Sequence, residues 1–110
     1  MDTTSLTALA EQQLAVARES SSGRSAVTVF GGREHDLRQT VIALAEGHSL
    51  AEHSSPGEAT LQVLSGTVRL TADAEVWEGH AGDHVVIPPL RHDLAALTDA
   101  VVLLTVASRA

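Results

Sequence analysis

The sequence predicts an all-β chain, an antiparallel sandwich or small barrel, preceded by one short helix. Apolar residues occur in about eight short runs, with turn signals every ten or so residues between them. Helical spacing appears only near the N-terminus. The apolar residues are almost all aliphatic, because Phe30 and Trp77 are the only aromatic side chains among 110 residues. We therefore expect a core of valine, leucine, isoleucine and alanine between β-sheets.

The helix is predicted over residues 4–19 and a linker over residues 20–23. Within the helical segment the apolar side chains recur every three or four residues, at Leu6, Leu9, Ala10, Leu14 and Ala17. The linker consists of three serines and a glycine, which is typical of a break between elements. We expect the helix and linker to form one part of the chain, residues 1–24, which packs on a β-domain of residues 25–110.

The predicted strands cover residues 25–30, 37–44, 60–64, 68–71, 75–78, 85–87, 92–97 and 101–106. The turns at Gly66 and at Gly82-Asp83 are expected to need a positive φ, which glycine adopts without steric cost. The terminal strands 25–30 and 101–106 would leave open sheet edges. We therefore expect a homodimer to which these two strands contribute.

The composition excludes several kinds of chemistry. The chain has seven basic residues, all arginine, and fourteen acidic ones, which gives a net charge of −7. Because cysteine and lysine are absent, disulfides, thiolate nucleophiles, cysteine zinc sites and Schiff bases are excluded. The acidity argues against a nucleic-acid partner. The apolar runs are too short for a membrane span, and we expect a cytoplasmic protein.

Two stretches carry a specific pattern of glycines, histidines and prolines. The first runs from Gly47 across five residues to His53, continues through Pro56-Gly57 and closes at Gly66. The second contains Gly82-Asp83, Ile87-Pro88-Pro89 and His92. Over about residues 37–107 these stretches resemble the two motifs of the cupin superfamily, in particular of its small single-domain members. The resemblance implies a small barrel of the double-stranded β-helix or jelly-roll type.

The resemblance also implies positions for a divalent metal, which cupins hold with three histidines and one glutamate. In this chain those positions fall on His53, Ser55, Ala59 and His92. Alanine has no donor atom, and protein metal sites generally need at least three protein ligands. We therefore expect a degenerate metal site and no cofactor. The alternative is a divalent ion (Zn, Fe, Mn or Ni) held by His53 and His92 in a non-standard ligand set.

Strand alternation identifies the side chains that share the interior face implied by the resemblance. The residues of that parity are His53, Ser55, Ala59, Leu61 and Val63, and Val85 and Ile87 are also assigned to the interior face. Glu58 and Gln62 have the other parity, and no carboxylate of the right parity replaces the missing ligands. The predicted ligand-binding residues are therefore His53, Ser55, Ala59, Leu61 and His92.

These observations favour a metal-free protein that binds or senses a small molecule in the barrel cavity. The ligand would be apolar or weakly polar and oriented by His53 and His92. The same two histidines alternatively serve as interior side chains that are satisfied by hydrogen bonds without a ligand. An enzyme of the metal-dependent dioxygenase or isomerase type is the other alternative. The loss of two of the four ligands argues against it, and the sequence identifies no catalytic residue.

Overall fold

One helix and nine strands make up the part of the chain that the computed structural model describes, which is residues 1–53 and 57–107 without the side chains of residues 52 and 53. Their bounds are α1 Leu6–Glu19, β1 Arg24–Phe30, β2 Leu37–Leu44, β3 Ser49–His53, β4 Glu58–Ser65, β5 Thr67–Ala72, β6 Glu75–His80, β7 His84–Val86, β8 His92–Ala96 and β9 Ala100–Ala107. The helix and eight of the strands confirm predicted elements. Strand β3 was not predicted, because Leu50 is its only large apolar residue. One such residue does not produce the alternation of apolar and polar side chains that indicates a strand.

The strands form two antiparallel sheets. One has five strands in the order β1-β2-β9-β4-β7, and the other has four in the order β3-β8-β5-β6. Neighbouring strands in both sheets are mostly distant in the sequence, as in a jelly roll. The predicted all-β class with one N-terminal helix is therefore confirmed.

Aliphatic side chains fill the space between the two sheets. The buried cluster there consists of Ile42, Leu44, Ala59, Leu61, Val63, Val68, Leu70, Ile87, Leu94, Ala96, Ala100, Val102 and Val106. Trp77 and Val85 pack against it from the side. Every member is aliphatic, as the composition predicts, and such a core gains its stability from apolar burial alone.

Helix α1 packs on the outer face of the five-stranded sheet. Ser5 caps its N-terminus by accepting a hydrogen bond from the N–H of Ala8 at 3.2 Å. Its small residues Ala10 and Ala17 are buried against side chains of β2 and β9 in a second apolar cluster. Strands β2 and β9 are therefore covered on both faces. No helix among the described residues is long and apolar enough to span a membrane, and the boundary at residue 24 stays a prediction.

The predicted edge position of residues 101–106 is wrong. They belong to β9, which lies in the middle of the five-stranded sheet between β2 and β4. In this central position the backbone of β9 forms hydrogen bonds to a strand on each side. Its side chains are buried in one apolar cluster on each face of the sheet. Strand β1 does lie at an edge, and a homodimer to which it contributes stays a prediction.

Asp99 connects the helix to the turns of the barrel. Its Oδ2 accepts a hydrogen bond from Nε of Arg18 at 2.7 Å, and its Oδ1 accepts one from the backbone N–H of Glu46 at 2.8 Å. The Glu46 N–H and the Arg18 guanidinium together hold the pKa of Asp99 below its usual value. The carboxylate therefore favours the docked helix as long as it is ionised.

The Asp99 link should make stability depend on pH. Because the folded-state pKa is lowered, Asp99 adds stability above the pKa of the unfolded chain, and this is lost as the pH falls through the folded-state pKa. We expect the free energy of unfolding at pH 7 to be about 0.5–1 kcal/mol lower for Asp99→Asn than for wild type. The effect is small because the side chains of Arg18 and Asp99 are both partly exposed to solvent. Urea unfolding between pH 7 and pH 2 measures the difference, with Asp36→Asn in an exposed loop as control. A difference that is unchanged at pH 2 would contradict the assignment.

Candidate functional site

His92 is the one buried polar or charged side chain among the described residues, with 5% of its surface exposed. It begins β8, and burial alternates along this strand so that His92, Leu94 and Ala96 share one face. Leu94 and Ala96 belong to the cluster between the sheets. The imidazole therefore lies on the interior face, as the sequence predicts.

A backbone carbonyl fixes the orientation of the His92 ring. Its Nδ1 lies 2.9 Å from the carbonyl oxygen of Leu90. A carbonyl oxygen can only accept, so Nδ1 carries the hydrogen and Nε2 is the acceptor nitrogen of the neutral ring. Histidines that bind metals or ligands are commonly oriented by such a hydrogen bond from the other ring nitrogen. In its neutral form the His92 ring therefore has its acceptor nitrogen, Nε2, on the side away from Leu90.

The strand register places His92 in a row that crosses the whole four-stranded sheet. Its backbone pairs with His53 on one side and with Ala72 on the other, and Ala72 pairs in turn with Glu75. Directly opposed residues of an antiparallel pair point to the same face. Glu75, Ala72 and His92 therefore lie side by side at one end of the interior face.

The two β4 positions predicted for the pocket lie in the interior. Ala59 and Leu61 are both buried in the cluster between the sheets, and so is Val63, which confirms the parity prediction. The N–H of Ile87 donates to the carbonyl oxygen of Ala59 at 2.9 Å, which holds the chain after β7 beside this position. Ser55 lies outside the described residues, as does the side chain of His53.

A groove opens between the edge strands β6 and β7, where the two sheets separate. It has a volume of about 400 Å³, and its lining includes Leu70, Ala72, Glu75, Trp77, Val85 and Val86. Leu70 and Val85 are also part of, or packed against, the interior cluster, so the floor of the groove is the side of the core. Sequence reasoning missed Glu75. Its parity with Trp77 on one strand was the signal that could have indicated it.

The comparisons with known proteins agree with this geometry. The family model Cupin_2, a cupin domain, matches residues 40–107. The chain belongs to the cupin family. The match begins within β2 and ends with β9, so α1 and β1 lie outside it. No curated protein matches the sequence.

Solved structures with the same fold belong to proteins of different kinds. A conserved protein of unknown function from Streptococcus pyogenes is 30% identical, with a TM-score of 0.74 over 83% of this cupin and 79% of that chain. KdgF from Halomonas sp. is 20% identical, with a TM-score of 0.67 over 83% and 85%. An HTH_3 family transcriptional regulator from Vibrio cholerae is 24% identical, with a TM-score of 0.67 over 79% and 52%. The last two similarities show the fold alone.

The described residues of this cupin do not fit the metal site that the family implies. Ala59 offers no donor atom at the carboxylate position. Within the part of the chain that the structure describes, no three histidine, aspartate or glutamate side chains are grouped so that they could hold a metal ion. The described residues therefore provide no ligand set around His92, and we derive no metal chemistry from them.

The other histidines that the structure describes lie at the surface. His80 and His84 flank the turn at Gly82 as predicted, and both are exposed. His80 contacts the hydroxyl of Thr67 at 3.2 Å and the carboxylate of Glu78 at 3.4 Å. His48 and His35 are also exposed. Of the histidines whose side chains are described, His92 alone can act on a molecule inside the barrel.

Proposed function

We propose that this cupin binds or senses a small molecule without a metal, in the cytoplasm, with the ligand held at the His92 end of the barrel interior. The observation that carries the proposal is the buried imidazole of His92 on an interior face whose buried neighbours, among the described residues, are aliphatic. Ligand pockets are typically apolar surfaces with few, well-placed polar groups that orient the ligand. His53 pairs with His92 through the backbone, and we assign it the second orienting role.

The ligand expected from this chemistry has an apolar body and a hydroxyl group. Because Nδ1 of His92 donates to Leu90, Nε2 is the nitrogen that can accept the hydroxyl hydrogen. Aliphatic neighbours such as Ala59 and Leu61 favour an apolar body by the hydrophobic effect. A hydroxyl that enters this face without an acceptor would lose its hydrogen bonds to water, so His92 selects for it.

A neutral probe tests this function. We would titrate 4-hydroxyphenylethanol into ¹⁵N-labelled protein and follow the indole N–H resonance, which is unique because Trp77 is the only tryptophan. His92→Phe keeps a ring in place but removes the acceptor, and we expect it to weaken binding roughly tenfold. His84→Phe on the exposed rim is the matched control and should leave binding unchanged.

Two results would overturn the proposal. Equal binding by wild type and His92→Phe, with unfolding curves that show both variants folded, would remove His92 from the site. Elemental analysis of untagged protein with about one metal ion per chain would instead support the metal-dependent enzyme. The similarity to KdgF does not favour that alternative, since at 20% identity it extends to the fold alone.

A further inference from the structure

The groove between β6 and β7 has apolar surface that the described residues leave uncovered. Strands β6 and β7 are the edges of their sheets, and their side chains Val76 and Val86 are exposed at 62% and 69%. The same groove reaches Leu70 and Val85, which belong to the interior cluster or pack against it. Its volume of about 400 Å³ lies within the range of small-molecule pockets. A small molecule there would therefore make apolar contacts at both the rim and the floor.

Glu75 is the one charged side chain among the described residues that line this groove. The other lining residues are aliphatic side chains, a proline and Trp77. Neither ion pair among the described residues, Arg18–Asp99 or His80–Glu78, involves Glu75. A molecule in the groove therefore meets one negative charge next to apolar surface.

The register of β6 places the carboxylate close to the apolar part of the lining. Glu75 lies two residues before Trp77, so the two side chains share a face of the strand, with their backbones about 7 Å apart. Leu70 of β5 pairs with Trp77 and therefore stands beside it. The six-membered ring of Trp77 covers Gly79, which has no side chain to displace it. A short molecule can therefore contact the carboxylate at one end and the indole at the other.

These groups are complementary to a cation on an apolar body. A carboxylate forms charge-assisted hydrogen bonds with an ammonium group and repels an anion. A metal ion needs about three protein ligands, and no such group occurs in the part of the chain that the structure describes. The net charge of −7 adds a long-range attraction for cations and a repulsion between two copies of the chain. The charge therefore favours a small organic cation over a second copy as the occupant.

We propose that the β6–β7 groove is a second binding site of this cupin, which takes a small organic ammonium ion. Glu75 binds the ammonium group, and Trp77 and Leu70 contact its apolar body. The lining of the groove does not include His92, and the ligand needs no access to that imidazole. The inference therefore goes beyond the proposed function and does not rest on it.

Three probes of similar shape and different charge test the site. Benzylamine carries an ammonium group, benzyl alcohol is neutral and benzoate is an anion. In ¹⁵N-labelled protein the indole N–H resonance of Trp77 follows each titration. We expect wild type to bind benzylamine about threefold more tightly than benzyl alcohol, and benzoate most weakly. Glu75→Gln should remove this preference, and about 0.5 M NaCl should reduce it.

Glu78→Gln is the matched control variant. Glu78 lies on the same strand as Glu75 but has the opposite parity, and its carboxylate contacts His80 rather than the groove. It removes the same charge from the protein and should leave the charge preference intact. Both glutamates are exposed on an edge strand, so both variants are expected to fold, and urea unfolding checks that they do.

The backbone resonances locate the site. Amide resonances of β7 should shift together with the indole resonance, and those of β1, at the opposite edge of the same sheet, should not. Equal binding of the three probes, an equal loss in the two variants or no binding of benzylamine at millimolar concentration would each overturn the inference. An indole resonance that moves with protein concentration in the absence of a probe would also overturn it, because a second copy would then occupy the groove. The test of the proposed function with His92→Phe is independent of all these outcomes.

Discussion

Replacing Gly66 by alanine should lower the free energy of unfolding by about 3 kcal/mol, from a strained φ and a collision together. Gly66 joins β4 to β5 with a φ of +78°, a conformation that residues with a side chain rarely adopt. A Cβ atom there would lie 2.1 Å from the carbonyl oxygen of Asp99 and 2.8 Å from the Cα of Ala100. Both are backbone atoms, so the β8–β9 turn itself would have to move.

Gly47 provides the matched control for the collision. Its φ of +83° is almost the same, but a Cβ atom there would have nothing within 4 Å. Gly47→Ala should therefore cost only the conformational part, about 1 kcal/mol. Urea unfolding of the two variants measures both values, and equal losses would show that the contact with Asp99 is unimportant.

Replacing Gly79 by alanine should cost about 2 kcal/mol by displacing the Trp77 ring. Gly79 is buried in β6, and a Cβ atom would lie 2.1 Å from Cη2 of Trp77 and 2.5 Å from Cζ3. Trp77 packs against the interior cluster, so its ring cannot move away without losing apolar contacts. The displaced indole should also shift its fluorescence towards longer wavelength. This emission reports on Trp77, because Phe30 is the only other aromatic side chain in the sequence.

A double-mutant cycle isolates this contact. In the Trp77→Leu background the ring is absent, and alanine is favoured over glycine in a strand by about 0.5–1 kcal/mol. Gly79→Ala should therefore change from destabilising to slightly stabilising in that background. The same loss in both backgrounds would mean that the cost arises from the backbone rather than from the ring.

Local patterns predicted most of the fold. Helical spacing ending in a serine-rich linker located α1 to within two residues, because its apolar side faces a single sheet. Turn glycines separated the strands, and Gly66 and Gly82 do have positive φ. Strand β3 was missed, since its burial depends on β8 rather than on its own composition. The order of strands across the sheet was also missed, because alternation carries no information about neighbours.

Which residues face the interior was also predicted in part from local patterns, while their role as a site stays a prediction. The parity of β4 and the second motif placed Ala59, Leu61 and His92 on the interior face, where the structure has them. Glu75 was not predicted, although it lines the groove two strands from His92. These residues are seventeen positions apart, and only the pairing of β5 with both β6 and β8 brings them into one row.

The sequence by itself determined the chemistry available to this protein: a β-rich chain with an aliphatic core and without lysine or cysteine. These are properties of single residues and of local periodicity. The tertiary structure alone decided that β9 is central, that β1, β6 and β7 are edges, and that a carboxylate, an indole and an imidazole share one face. Long-range strand pairing makes those choices, because burial and hydrogen bonding are satisfied by residues far away in the chain.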